Sequence, residues 1–109
     1  MFQEPYELIY YVYILASQSR GTIYIGVTNN IEKRHLEHTA KIGIGFTKKY
    51  KVHRLVYFEE TESIEVAIQR EKQLKNWHRQ WKINLIESVN KNWDDLTVMY
   101  GMGPETSSG

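Results

Sequence analysis

The stretch YYVYILASQSRGTIYIGVTNNIEKRHLEH, residues 10 to 38, brings Tyr13, Tyr24, Arg34 and His38 close together in the chain. A free phenol ionises near pKa 10, so a tyrosine can take a proton at neutral pH only where a cation or a metal ion lowers that value. Arginine keeps its charge and offers a planar fork that fits a phosphate, and histidine can relay a proton or bind phosphate. Arg34 and His38 stand four residues apart, so on a helix they share a face and can reach one site. Each residue also has a plainer role: sheet packing for the phenols, solvent contact for Arg34, and an ordinary satisfied hydrogen bond for His38. His35 and His38 do not make a zinc site, because no third and fourth ligand follows at usable spacing.

Glu71 falls among Ile64, Ala67, Ile68, Leu74 and Lys75, which recur at helical spacing. A carboxylate on such a stripe is costly to bury unless it is paired or bound to a metal. Spacing alone favours an exposed ion pair with Lys75, four residues on, worth about 0.3–0.5 kcal/mol. The net charge of +1 hides an uneven distribution. Lys33, Arg34, Lys41, Lys48, Lys49, Lys51 and Arg54 face the single acid Glu37, and Arg70, Lys72, Lys75, Arg79 and Lys82 face only Glu71. The acids gather instead in FEETESIE, residues 58 to 65. Brought together, the basic segments would suit a phosphate backbone; on charge alone a solvated face is the simpler reading.

These residues need a scaffold, and 109 residues allow one domain. With 41% apolar and 25% charged residues the composition is that of a globular chain. The absence of cysteine removes disulfides and thiolate zinc sites, and the cytoplasm is the expected compartment. LIYYVYILA is far shorter than the roughly 20 residues of a membrane span, and the acidic MFQEPYE before it does not resemble a basic signal peptide. Period-two alternation predicts two strands that share an aliphatic side (Val12 and Ile14 with Ile23, Ile25 and Val27) and a tyrosine side (Tyr11 and Tyr13 with Tyr24 and Gly26). SQSRG closes the hairpin between them. TNN introduces a first helix, IEKRHLEHTAK, then a glycine-bearing loop, IGIGFTKKYK, and a third strand, HRLVYFEE. TESIEVAIQREKQLKNW and RQWKINLIESV read as two more helices, followed by the turn NKNWDDL. The expected fold is α/β of the α+β kind: a small, mainly antiparallel three-stranded sheet flanked by about three helices over residues 8–98, with a disordered tail over 101–109.

Tyr11-Val12-Tyr13, Tyr24-Ile25-Gly26, then Arg34, His38 and Glu71 in that order resemble the GIY-YIG nuclease domain. REKQLKNWHRQWKINLIESVNKNWDDL, residues 70 to 96, is similar to small stand-alone bacterial members, related to the nuclease end of the excision-repair incision protein. Two departures stand out: Tyr11 replaces the first motif glycine, and Lys91 replaces the proline those members carry after Asn90. The resemblance implies a Mg²⁺-dependent endonuclease acting on nucleic acid, DNA in particular, with Mn²⁺ able to substitute and a separate protein supplying targeting. It makes Glu71 the metal ligand. Tyr13 becomes the base for the attacking water, Tyr24 its positioner, Arg34 the stabiliser of the phosphorane-like transition state, and His38 a proton relay or phosphate ligand. Asn90 either helps hold the site or simply ends a helix. Lys33, Lys41, Lys48, Lys49, Lys51 and Lys75 are the expected nucleic-acid contacts. Two other classes compete: a non-catalytic nucleic-acid-binding module, and an interaction domain using Trp77, Trp81 and Trp93, aromatics that also suit packing between helices.

Overall fold

The computed structural model describes residues 9–30 and 52–99. Strands β1 (Tyr10–Ala16), β2 (Ile23–Thr28) and β3 (Arg54–Thr61) are followed by helices α1 (Ile64–Asn76) and α2 (Arg79–Val89) and a single turn, α3 (Leu96–Met99). The strands form one sheet in the order β2-β1-β3, and both pairings are antiparallel. The predicted first helix (31–41), the loop after it (42–51) and the tail (101–109) lie outside the described residues. Of the three helices expected, the two that can be compared are present, and α3 is an additional turn that the sequence pattern did not suggest.

The two-sidedness of the sheet follows from the alternation. Register places Tyr13 opposite Gly26 and Leu15 opposite Tyr24, with Ile14 opposite Ile25 on the other face. Val12, Ile14, Ala16 and Ile25 are buried with Ala67 and Leu74 of α1 and Ile83 and Ile86 of α2, which makes the helix-covered core. Tyr13, Leu15, Leu55 and Val52 form a smaller cluster on the opposite face, edged by Tyr11, Tyr24 and Phe58. Pairing between β1 and β3 slips between Ile14 and Leu15, so that Val56 and Tyr57, although consecutive, both join the helix-side core.

The hairpin loop is tied internally by Ser17 N–H to the Thr22 carbonyl (3.0 Å) and Gly21 N–H to the Gln18 carbonyl (2.9 Å). Its left-handed position falls on Arg20 (φ 58°), and Arg79 of α2 donates to the carbonyls of both Arg20 and Gly21. Ser63 begins α1 by accepting the Val66 N–H at 3.2 Å. The buried side of α1 is rotated from the predicted stripe. Ala67 and Leu74 are fully buried and Trp77 partly so, whereas Ile64 and Ile68 are exposed. Arg70, on the same side as Ala67 and Leu74, grips Glu59 of β3 with Nε to Oε1 at 2.9 Å and Nη2 to Oε2 at 2.8 Å.

Candidate active site

Tyr13 of β1 and Tyr24 of β2 lie on the sheet face away from α1, as the alternation predicted, with ring centroids 6.3 Å apart. Tyr13 is only 2% exposed. Its ring crosses β2 where Gly26 has no side chain: a methyl group there would lie 2.5 Å from the phenol oxygen and 2.7 Å from Cζ. Steric access, not backbone angle, is what requires glycine at this position. The second motif glycine therefore makes room for the first motif tyrosine, a coupling that neither motif shows when read alone.

Glu71 stands on the other side of the sheet. It lies between Ala67 and Leu74 on α1, is 21% exposed at its side chain, and is paired with Lys75 at 2.9 Å, the ion pair that i,i+4 spacing predicted. Lys75 is 54% exposed and so remains open to solvent beyond that pair. Among the described residues no group of three His, Cys, Asp or Glu side chains could cage a metal ion. A single hard carboxylate oxygen nonetheless fits Mg²⁺, which keeps several waters and takes phosphate oxygens as its remaining ligands. The donor set agrees with Mg²⁺ or Mn²⁺ and with no soft metal. Arg34, His38, Lys33, Lys41, Lys48, Lys49 and Lys51 lie outside the described residues.

Asn90 ends α2, its N–H reaching the Ile86 carbonyl at 2.8 Å. Its buried side chain donates to the carbonyls of Val56 and Asp94, each at 2.9 Å, and accepts the Asp94 N–H at 3.0 Å. Both amide donors are thus used within the protein, which is the helix-ending alternative in built form. The adjoining residues continue this lacing along β3. Arg54 donates to the Trp93 carbonyl at 3.0 Å, and Asp95 Oδ1 accepts from the Leu55 N–H at 3.4 Å and from the Thr97 hydroxyl at 2.6 Å. Trp93 is fully buried and left-handed at φ 59°, and its indole N–H reaches Glu87 at 2.7 Å.

Two carboxylates escaped the sequence reading. Glu87 accepts from Arg20 and from Trp93, and these hydrogen bonds hold its pKa down at about 2. Glu59 accepts from the Tyr57 hydroxyl as well as from Arg70. Burial works to raise the Glu59 carboxyl, but the Arg70 and Tyr57 hydrogen bonds outweigh it and the net direction is down. Burial, with Glu59 beside it, pushes the Tyr57 phenol up to about 12. The Arg20–Glu87 and Arg70–Glu59 pairs join different elements, so no local spacing signals them, whereas Tyr57 and Glu59 stand two residues apart on β3.

A three-stranded sheet whose motif tyrosine lies over the motif glycine, with a carboxylate on the helix behind, defines a domain class, and residues 9–84 match the GIY-YIG catalytic domain. The chain belongs to the GIY-YIG family, a family of nucleases. It is similar to UPF0213 proteins, a name that states no activity. The relative from Syntrophus aciditrophicus is 41% identical over 71% of this chain and 88% of its own length, and that from Clostridium perfringens is 40% identical over 72% and 83%. The solution NMR structure of a UPF0213 protein from Bacillus halodurans matches with a TM-score of 0.51 at 28% identity, covering 82% of this chain and 94% of that one. Among the described residues no helix is long and apolar enough to cross a membrane.

Proposed function

We propose that the chain is a metal-dependent endonuclease that hydrolyses phosphodiester bonds in nucleic acid, with DNA as the first substrate to test. The observation that carries this reading is the buried Tyr13 seated over Gly26 with Tyr24 beside it, an arrangement that fixes one phenol and leaves the other to line its approach. In this reading Tyr13 takes the proton of the attacking water, Tyr24 orients that water, and Arg34 steadies the scissile phosphate with its fork. Glu71 would hold Mg²⁺, whose charge, when bound, favours departure of the leaving oxygen. His38 serves the phosphate or a proton. Lys33, Lys41, Lys48, Lys49, Lys51 and Lys75 hold the backbone through charge. β2 and β3 are the outer strands and α1 packs against all three strands, so this reading has the scissile phosphate reached by Glu71 and by the phenols around an edge of the sheet.

One observation favours the alternative, a nucleic-acid-binding module that does not cut: the Glu71 carboxylate is already paired with Lys75. The two readings part in a single assay. Labelled single-stranded, duplex and branched DNA and RNA are incubated with and without Mg²⁺, using the wild type and Glu71→Ala. Nuclease function requires cleavage that needs the ion, accepts Mn²⁺, stops with chelator and is abolished in the variant while binding persists. Salt-sensitive binding with no cleavage of any substrate would establish the module instead.

A further inference from the structure

Along α2 and the end of α1, Trp77, Trp81, Asn84, Leu85 and Ser88 line an open groove of about 340 Å³. Trp81 is 53% exposed, a large apolar surface to leave in water. Its ring meets Trp77 edge-on at 5.9 Å and His78 edge-on at 5.2 Å, so neighbouring aromatics hold it in place. Trp77 is in turn backed by the Arg70 guanidinium, 5.2 Å from its ring centroid. The polar rim is supplied by Asn84, whose side-chain oxygen is taken by Gln80 while its amide N–H groups have no partner among the described residues. The space falls within the range of small-ligand sites, and a fixed ring with an amide beside it suits a flat heteroaromatic group.

Charge decides what carries that group. Of the basic residues from Arg70 to Lys82, Arg70 is paired with Glu59 and Lys75 with Glu71, which leaves Lys72, Arg79 and Lys82 without a carboxylate partner among the described residues. Arg79 and Lys82 are held instead by backbone carbonyls. A second copy of the chain would set these cations against their own images across a symmetric interface, which disfavours self-association. A polyanion bearing flat bases has the complementary charge and shape.

We propose that the Trp77–Trp81 groove is a nucleobase-binding subsite, in which an unstacked base lies on Trp81 within reach of the Asn84 amide while Arg79 and Lys82 attract the flanking phosphates. The inference concerns binding alone and rests on the nucleic-acid partner of the proposed function, not on its chemistry. It is tested on the full chain in chelator, where nothing can be cut, by titrating with a 12-residue oligothymidylate and with an abasic oligomer of equal length while following tryptophan fluorescence. The expected result is quenching by the oligothymidylate and weak binding of the abasic strand, with affinity for the former falling about tenfold in Trp81→Ala and largely restored in Trp81→Phe. Trp81 is exposed, so the variant should keep its near-ultraviolet circular dichroism and Tm. Equal affinity for both oligomers, an unchanged Trp81→Ala, or a concentration-dependent dimer that the variant abolishes would each overturn the subsite. So would a wild type that binds neither strand. A chain that fails to cut with Mg²⁺ but passes these tests would retire the nuclease reading and leave the subsite standing.

Discussion

Among the described residues each face of the sheet carries one well-buried tyrosine, and the two phenols have different surroundings. Tyr57, on the helix-covered face, donates its hydroxyl to Glu59, which Arg70 of α1 grips, so the phenol helps bind strand to helix. Tyr13, on the other face, lies over Gly26 beside Tyr24, where its phenol occupies the space a side chain at position 26 would take. The contrast teaches that burial of a tyrosine says little about its purpose; what its oxygen faces says more. On the helix side residues are held by volume and by pairs that cross between elements, whereas the tyrosine side is built around room at one glycine.

The largest expected effect would test that division directly. Tyr13→Phe keeps the ring, so Tm should move little, while Mg²⁺-dependent cleavage falls by about 10² to 10⁴, the range for loss of a general base. Tyr24→Phe should lose less. Activity within a few-fold of wild type across a pH series would reduce Tyr13 to packing. Ile14→Ala, on the opposite face and fully buried, should cost about 2–5 kcal/mol in urea unfolding, with per-molecule activity retained wherever the protein is folded.

Gly26→Ala forces a methyl group against a buried ring and should destabilise by about 1–3 kcal/mol. Most of that penalty should vanish in a Tyr13→Ala background, and a penalty that stayed the same would disprove the steric coupling of the two motifs. Tyr57→Phe is the mirror of Tyr13→Phe: roughly 1 kcal/mol of stability lost with its hydrogen bond, and no loss of cleavage.

The smallest effect is at Glu87. Its folded pKa is depressed to about 2 from 4.5, so its contribution to stability is present above about pH 4.5 and disappears as pH falls toward 2. Thermal melts across that window should show a flatter acid limb for Glu87→Gln than for the wild type.

How much of this was legible depended on range along the chain. The hairpin and its two faces were readable because alternation is local, and with them came the meeting of Tyr13 and Tyr24. The Glu71–Lys75 pair was readable for the same reason. The buried side of α1 was not, because Ile64 and Ile68 continue the apolar pattern while the partner of Arg70, Glu59, lies on another element. Asn90 was open between two roles. Its choice of partners depends on a slip in strand register, and no periodicity reveals a bulge. Nor does sequence separation show that Glu71 and the two phenols occupy opposite faces.

That slip has a consequence for the chain as it is made. β3 is an outer strand, and the backbone groups of Leu55 and Val56 on it are taken by Asp95 and Asn90. Until those residues leave the ribosome, this stretch of strand has no such cover and can recruit a neighbouring nascent chain. The last part of the domain to be synthesised thus acts as an internal guard against misassembly. A chain terminated at Val89 would contain β1, β2, β3, α1 and α2, yet it should associate through β3 as the complete domain does not.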